Sequence, residues 1–572
     1  MNAAHRLRAF AVSTAVGSGK TKAAVRYIAT PELRQQNFIY VAPTIRLIGQ
    51  TCDNLKATIQ ESGSNREVAL IHSESRLTGS VPVAVETLQA INGAQSGEGQ
   101  VVIVTTATFL NILSRIERPA DWRVILDEAF SPISFIEFYL GCRVEETLHL
   151  FKGVFDIDPS QNHRLLPAAG QVGWVKELAA GDSRRIGEVY RPFQPLAKVV
   201  SNPAFRCELV MTPKAKSIVE GTFGANVDDR LLVPSDGVES KLLFACYVTP
   251  DAFKSFAEVL FMSALFDQTM LFKLWTTVFG VIFEEHPAFP PCSLRDVHTE
   301  QGSSVSVGHL LHADDNSSLY NLGRNVHTAA VKETEEGQRV LDRLVELSAE
   351  HFSPSLFLLQ TNNGYGYETG SRLMPANAVR VPAASHGLNE YQDHVNVAAL
   401  AVTNPVPQQT QWIVNRTGLT QAETTKAYRI HTTYQAIGRS AIRNMHAKES
   451  SKVFLTVGRE DAWLLHELFV GSKWLGQVGD MKSLSSATAE TRRTPMEVDL
   501  ASKIETHLEE LPPETRRVSS RSLKAQIADD IGGNTWTRAV RLASSYPSGW
   551  AFEGQSWVRI DAEYMGFTVQ DG

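Results

Sequence analysis

From Leu7 to Val104, short apolar runs alternate with polar turns and amphipathic stretches. Phe10 to Val12, Phe38 to Ala42 and Val101 to Val104 are rich in strand-favouring residues, and each is followed by a turn and a segment of helical period. That alternation predicts a parallel sheet wrapped by helices. A further run, Arg123 to Leu126, ends in Asp127 and Glu128. After Phe130 the pattern turns irregular, and residues 131–239 are expected to be an insertion. Strands resume at Lys241 to Val248 and Val259 to Met262. A second alternating block from about Ser355 to Asp461 carries Leu356 to Leu359, Ala378 to Pro382, Val397 to Val402 and Val453 to Val457. The pattern therefore predicts an α/β fold with two such units.

Residues 481–496 are Ser/Thr-rich and apolar-poor, the composition of a linker. Beyond it, Leu500 to Leu508 is helix-like, Ser519 to Ile531 opens on a serine cap, Gly532-Gly533 marks a turn, and Thr535 to Ser544 is a further helix. Trp550 to Ile560 reads as a hairpin turning at Glu553-Gly554. Helix, turn, helix and hairpin make a winged-helix-like pattern. Arg521, Lys524, Arg538 and Arg541, with Arg516 and Arg517, would supply cations for phosphates. Many such modules bind proteins instead. The expected division is 1–130 and 240–300 for the first α/β domain, 131–239 for the insertion, 301–480 for the second α/β domain, 481–496 for the linker and 497–572 for the winged-helix-like domain.

Length and composition narrow the class. A chain of 572 residues has room for about three or four domains. With 43% hydrophobic and 20% charged residues it is neither disordered nor fibrous. Its net charge of -7 confines any nucleic-acid contact to a groove or one module. The five cysteines are scattered without zinc-ligand spacing, which speaks against a zinc ribbon and a disulfide framework. The start of the chain has no apolar leader, no segment reaches membrane-spanning length, and a cytoplasmic location without membrane contact is expected.

Chemistry concentrates in three places. Thr14 to Thr21 reads TAVGSGKT, between a strand and a helix. Gly17, Ser18 and Gly19 would let backbone N–H groups curl around phosphates, Lys20 would reach the β and γ positions, and Thr21 would offer its hydroxyl to Mg²⁺. Taken alone, the segment also fits an ordinary Gly-rich turn. Asp127 and Glu128 emerge at a strand's C-terminal end, where such sheets place ligands. Asp127 would hold Mg²⁺ and Glu128 would orient or deprotonate water. A solvated acidic turn is the alternative, weakened by Lys20 upstream in the same sheet unit. In YQAIGRSAIR, Gln435, Arg439 and Arg443 could act on a γ-phosphate from a second domain, although alone the stretch would read as a helix with exposed arginines.

In this order, these residues resemble the core of superfamily-two helicases, the DEAD/DEAH-like nucleic-acid-dependent ATPases. The resemblance covers about Arg8 to Asp461 and implies two RecA-like domains, with ATP and Mg²⁺ between them. Pro43, Thr44 and Arg46, in APTIRL, look like a motif that touches the nucleic-acid backbone, as does Thr106 in TTAT. Asp127 to Phe130 matches the DEAx box. Ser263, in SAL, resembles the motif coupling hydrolysis to strand movement, and Gly387 and Asn389, in SHGLN, resemble a motif near the interdomain cleft. Gln435 to Arg443 resembles the arginine-finger motif, with Glu128, Gln435, Arg439 and Arg443 then acting in catalysis. Departures are informative. Thr14 replaces a glycine, Ile442 stands where the last arginine is usual, and Phe130 makes the acidic box DEAF where RNA-remodelling members have DEAD. The segment before Thr14 also leaves no room for the adenine-reading segment of those members.

The expected function is an ATP-dependent helicase or translocase on single-stranded or forked DNA, with replication proteins as possible partners. In look it resembles replication helicases of phages and mobile elements. The alternatives are a DNA-stimulated ATPase switch or loader that does not unwind, and an RNA helicase.

Overall fold

The computed structural model describes residues 7–74, 81–140, 144–181, 186–212, 215–217, 241–324, 338–382, 390–484, 495–512, 514–528, 533–543, 550–553 and 556–559. The chain divides into two compact units, Met1–Leu319 with Leu344–Asp480, and Tyr320–Arg343 with Met481–Gly572.

In the first unit the opening strands form a parallel sheet. Its order is Ile282–Glu285, Arg8–Thr14, Glu258–Ala264, Trp122–Asp127, Asn37–Ala42, Val101–Thr105 and Val68–Leu70. Every residue of Asn37–Ala42 is buried, as are the first four of Val101–Thr105, because helices cover both faces. That is why these strands read as unbroken apolar runs. The edge strands Val68–Leu70 and Ile282–Glu285 are half-exposed and short, and the hydrophobic pattern does not announce them.

A second parallel sheet follows in the order Ala378–Val381, Phe357–Gln360, Asn396–Ala399, Lys452–Thr456, Val305–His309 and Lys473–Gln477. Val305–His309 and Lys473–Gln477 lie outside the block in which the pattern predicts strands. The fold is thus α/β, with two RecA-like sheets and an insertion in the first.

The insertion is a sheet of its own. Ile133–Tyr139, Lys241–Val248, Phe205–Leu209, Arg164–Pro167 and Phe155–Asp158 pair antiparallel in that order. Phe138, Phe151, Phe155, Phe193 and Phe244 pack in its core. Lys241–Val248, expected to restart the parallel sheet, instead completes this one, and the chain returns to the parallel sheet at Glu258–Ala264. An apolar run buried on both faces carries no mark of which sheet it joins. Cys207 and Cys246, distant in sequence, face each other across the pairing with sulfurs 3.4 Å apart and are free thiols.

A helical hairpin, Pro407–Thr417 and Gln421–Ile437, connects the second block to the rest. Thr420 caps its second helix by accepting from the Glu423 N–H at 3.1 Å, and Glu423 accepts in return from the Thr420 N–H at 2.8 Å. Trp412, Ile413, Leu419 and Ala427 from this hairpin are buried in the core of the first sheet. Trp412 sits edge-on to Phe135 and against Tyr247 of the insertion, with centroids 6.0 and 5.7 Å apart.

The second unit contains the helices Pro495–Glu509, Ser520–Ile527 and Gly533–Ala543. A small antiparallel sheet orders Arg517–Ser519, Ser556–Arg559 and Trp550–Glu553. Leu500, Ile504 and Leu508, spaced four apart on the first of these helices, pack with Leu523, Trp536 and Trp557 in its core. Gly532 and Gly554 of the expected turns, and most of the expected linker, lie outside the described residues. Among the described residues, no helix is long and apolar enough to cross a membrane.

Candidate active site

The strand Arg8–Thr14 hands the chain to a tight loop and then to the helix Lys20–Ala29. Gly17 and Gly19 have φ of 76° and 95°, a region where a side chain would be strained, so the loop needs glycine at both places. Lys20 is buried, and its Nζ donates to the Ala15 carbonyl at 2.8 Å and to Thr14 Oγ1 at 3.4 Å. Thr14, in place of a glycine, therefore contributes a hydroxyl, which also meets Ser18 Oγ at 2.9 Å. Burial lowers the Lys20 pKa, opposed by the charges of Glu128 and Asp127.

Thr21 Oγ1 donates to Asp127 Oδ2 at 2.7 Å. The same carboxylate oxygen accepts the hydroxyl of Tyr40, a buried side chain on the neighbouring strand that sequence reasoning misses. In the pattern Tyr40 is one more apolar strand residue. Burial raises the pKa of Asp127, with Glu128 adding to it, while the Tyr40 and Thr21 hydroxyls work against the rise.

Glu128 stands just past the strand with φ of 90°, an unfavourable backbone for a non-glycine residue, held by its N–H donating to the Met262 carbonyl at 2.8 Å. Its Oε2 accepts from Ser263 Oγ at 3.2 Å and from Gln435 Nε2 at 3.0 Å. Gln435 Oε1 in turn accepts from Arg439 Nη2 at 3.0 Å. Arg439 is only 1% exposed, and burial, with Arg443 second, brings its pKa down to about 9.

The helix Gln421–Ile437 lies directly on the glycine loop. A Cβ on Gly438 would come within 2.4 Å of Val16 Cγ1, and one on Gly17 within 3.0 Å of Arg443 Cγ. The Val16 N–H donates to the Tyr434 hydroxyl at 3.0 Å, and His298 Nε2 meets that hydroxyl at 2.6 Å. Tyr434 and His298 also escape the sequence reading: Tyr434 opens the YQAIGRSAIR stretch but reads there as a packing residue, and nothing in the segment of His298 marks it.

The structure thus gathers Gly17 to Thr21, Asp127, Glu128, Ser263, Gln435, Arg439 and Arg443 in one place. Lys20, Arg439 and Arg443 set three cations against the two carboxylates Asp127 and Glu128. The positive-φ glycines and the hydroxyl and carboxylate oxygens of Thr21 and Asp127 suit a nucleoside triphosphate and a hard divalent cation.

The residues expected to meet nucleic acid are placed differently. Thr44 caps the helix Ile45–Glu61 by accepting from the Leu47 N–H at 3.3 Å. Pro43 precedes it, half-buried. Arg46 is exposed and donates from both terminal nitrogens to Glu390 Oε2 at 3.2 Å. Thr106 is the first residue of the helix Thr106–Ile112, capped by Thr105. In the second unit Arg521 is exposed and Lys524 half-buried on the helix Ser520–Ile527. Arg538 and Arg541 belong to the helix Gly533–Ala543, and their side chains lie outside what is described, as do Gly387 and Asn389 entirely.

Residues 1–130 match the family described as DEAD/DEAH box helicase. Among proteins of curated function, none matches the chain in sequence. In solved structures the chain is similar to S. cerevisiae Dbp5 bound to RNA and ADP BeF3, at 9% identity over 83% of this chain and 86% of that one, with a TM-score of 0.34. It is also similar to a hypothetical ATP-dependent RNA helicase from Sulfolobus tokodaii, at 11% identity over 81% and 90%, with a TM-score of 0.22. At these TM-scores neither likeness bears on the substrate. The enzyme is an ATP hydrolase with a superfamily-two helicase domain.

Proposed function

We propose that the enzyme couples ATP hydrolysis to movement along DNA, as a helicase or translocase. The observation that supports this most is the hydrogen-bonded chain from Ser263 through Glu128 and Gln435 to Arg439, which runs between the two parallel-sheet blocks. Such a connection lets a phosphate event at Glu128 be felt by the second block. Lys20 and the loop N–H groups would hold the phosphates, and Thr21 and Asp127 would hold Mg²⁺. The cation would neutralise charge developing on the phosphate oxygens. Glu128 would orient water and take its proton. Arg439 and Arg443 would meet the charge on the transferred group, and the opening and closing of their contacts would move the second block.

DNA is preferred over RNA because Phe130 departs from the acidic box of the RNA-remodelling members, and the reading of the second unit as a winged-helix-like DNA module supports the same choice. Replication of a phage or mobile element is the proposed setting, suggested by the SHGLN and QAIGRSAIR variants. The test is ATP turnover with single-stranded DNA, forked DNA and RNA of matched length, followed by strand displacement. Stimulation by DNA with displacement is expected. Stimulation by RNA alone would make it an RNA helicase, and stimulation without displacement would make it a DNA-dependent switch.

A further inference from the structure

We propose that the trough between the helix Thr106–Ile112 and the insertion is a seat for the phosphodiester backbone of the DNA strand. The trough has a volume of about 690 Å³. Among the described residues its walls carry Arg115, Lys176 and Lys198, with Asn111, Ser114 and Asn202 between them, and no carboxylate. The cations come from three separate elements: Arg115 just beyond the helix Thr106–Ile112, Lys176 on Val172–Ala180 and Lys198 on Gln194–Val200. In sequence they are scattered single charges, each readable as part of a solvated face. The insertion's fold turns them toward one trough.

The trough is built by specific contacts. Asn202 Oδ1 accepts from Ser114 Oγ and from the Ala204 N–H, both at 3.0 Å, and Asn202 Nδ2 donates to the Leu110 carbonyl at 3.4 Å. That fastens the insertion to the end of the helix Thr106–Ile112. Ser201 Oγ donates to the Val175 carbonyl at 3.3 Å and ties the two insertion helices together. On the helix Val172–Ala180 the small side chains of Ala179 and Ala180 share a face with Lys176 and leave the trough wide.

Charge sets the ligand class. The chain carries 62 acidic against 55 basic residues, so a trough whose described lining has three cations and no acid runs against its own background. Among the described residues, none of the three is in an ion pair. Between the cations, the Asn111 amide and the second N–H of the Asn202 amide can donate to phosphate and sugar oxygens, while the hydroxyls of Ser114 and Ser201 are engaged in the scaffold. Among the described residues the lining has no aromatic ring on which a base could stack, so it would hold the backbone without reading sequence. Thr106, expected to touch the same backbone, opens the helix whose far end carries Asn111.

This inference rests on the nucleic-acid reading above. The test compares wild type with a variant carrying Arg115→Gln, Lys176→Gln and Lys198→Gln, using labelled single-stranded and forked DNA over a range of salt concentrations. Each lost phosphate contact removes about 0.7 to 0.9 from the slope of log affinity against log salt, so for three contacts a slope shallower by about 2.1 to 2.7 is expected. ATP turnover without DNA should be unchanged, which shows that the variant is folded. Lys176 and Lys198 of the wild type should be protected from amine acetylation by DNA, and inorganic phosphate at the same charge concentration should not protect them. If wild type binds DNA and the variant keeps its slope, the trough is overturned and the functional reading stands. If wild type neither binds nor responds to any nucleic acid, both fall.

Discussion

Gln435 Nε2 donates to Glu128 Oε2 at 3.0 Å, joining a helix of the second block to the strand end of the first sheet. The same oxygen accepts from Ser263, so one carboxylate takes bonds from two structural blocks. Glu128→Gln keeps the size of the side chain and removes the charge. Its turnover should fall by at least about a hundredfold, the range for losing a general base. Binding of a fluorescent ATP analogue should persist. Loss of binding together with turnover would assign Glu128 a structural role.

Gly438 has room for no side chain, because a methyl there would lie 2.4 Å from Val16 Cγ1. Its φ of -63° is ordinary for alanine, so the effect of Gly438→Ala is steric and not conformational. We expect it to force the second block off the glycine loop and lower turnover, with a stability loss of about 1–3 kcal/mol. Adding Val16→Ala should restore much of both, read by steady-state ATPase and thermal unfolding.

Tyr40 donates to the same Asp127 oxygen as Thr21 and is entirely buried. Tyr40→Phe removes a hydroxyl that orients the carboxylate and leaves the ring packing in place. The Mg²⁺ concentration for half-maximal turnover should rise about tenfold or more, as for other outer partners of metal ligands. Mn²⁺ binding in the presence of a non-hydrolysable ATP analogue, followed by electron paramagnetic resonance, should weaken in parallel. Unaltered Mn²⁺ affinity would leave Tyr40 as packing.

Arg439 and Arg443 approach the glycine loop differently. Arg439 is buried behind Gln435, whereas the Arg443 side chain covers Gly17. Arg439→Ala should lower turnover by about a hundredfold or more with a small change in ATP affinity, because such an arginine acts mainly in the transition state. Arg443→Ala should weaken ATP affinity as well, since it also removes the cover of the loop. Equal behaviour of the two variants in pre-steady-state and binding measurements would refute this division.

The sequence by itself determined the parts whose cause is local. The glycine loop is legible because positive φ at Gly17 and Gly19 demands glycine, and the first sheet is legible because strands buried on both faces become unbroken apolar runs. Asp127 and Glu128 announce themselves as charges at the end of such a run. What pairs across long separations was decided only in the tertiary structure. Lys241–Val248 could have joined either sheet, since burial on both faces looks the same in parallel and antiparallel surroundings. Tyr40 is indistinguishable from a core residue until Asp127 is placed beside it. Ile442 stands where the last arginine is usual, yet a short 3-10 turn at Ala441–Arg443 brings Arg443 onto Gly17 all the same. Arg115, Lys176 and Lys198 became one charged trough only when the insertion packed on the first domain, because their convergence depends on contacts such as Asn202 to Ser114 that no local pattern encodes.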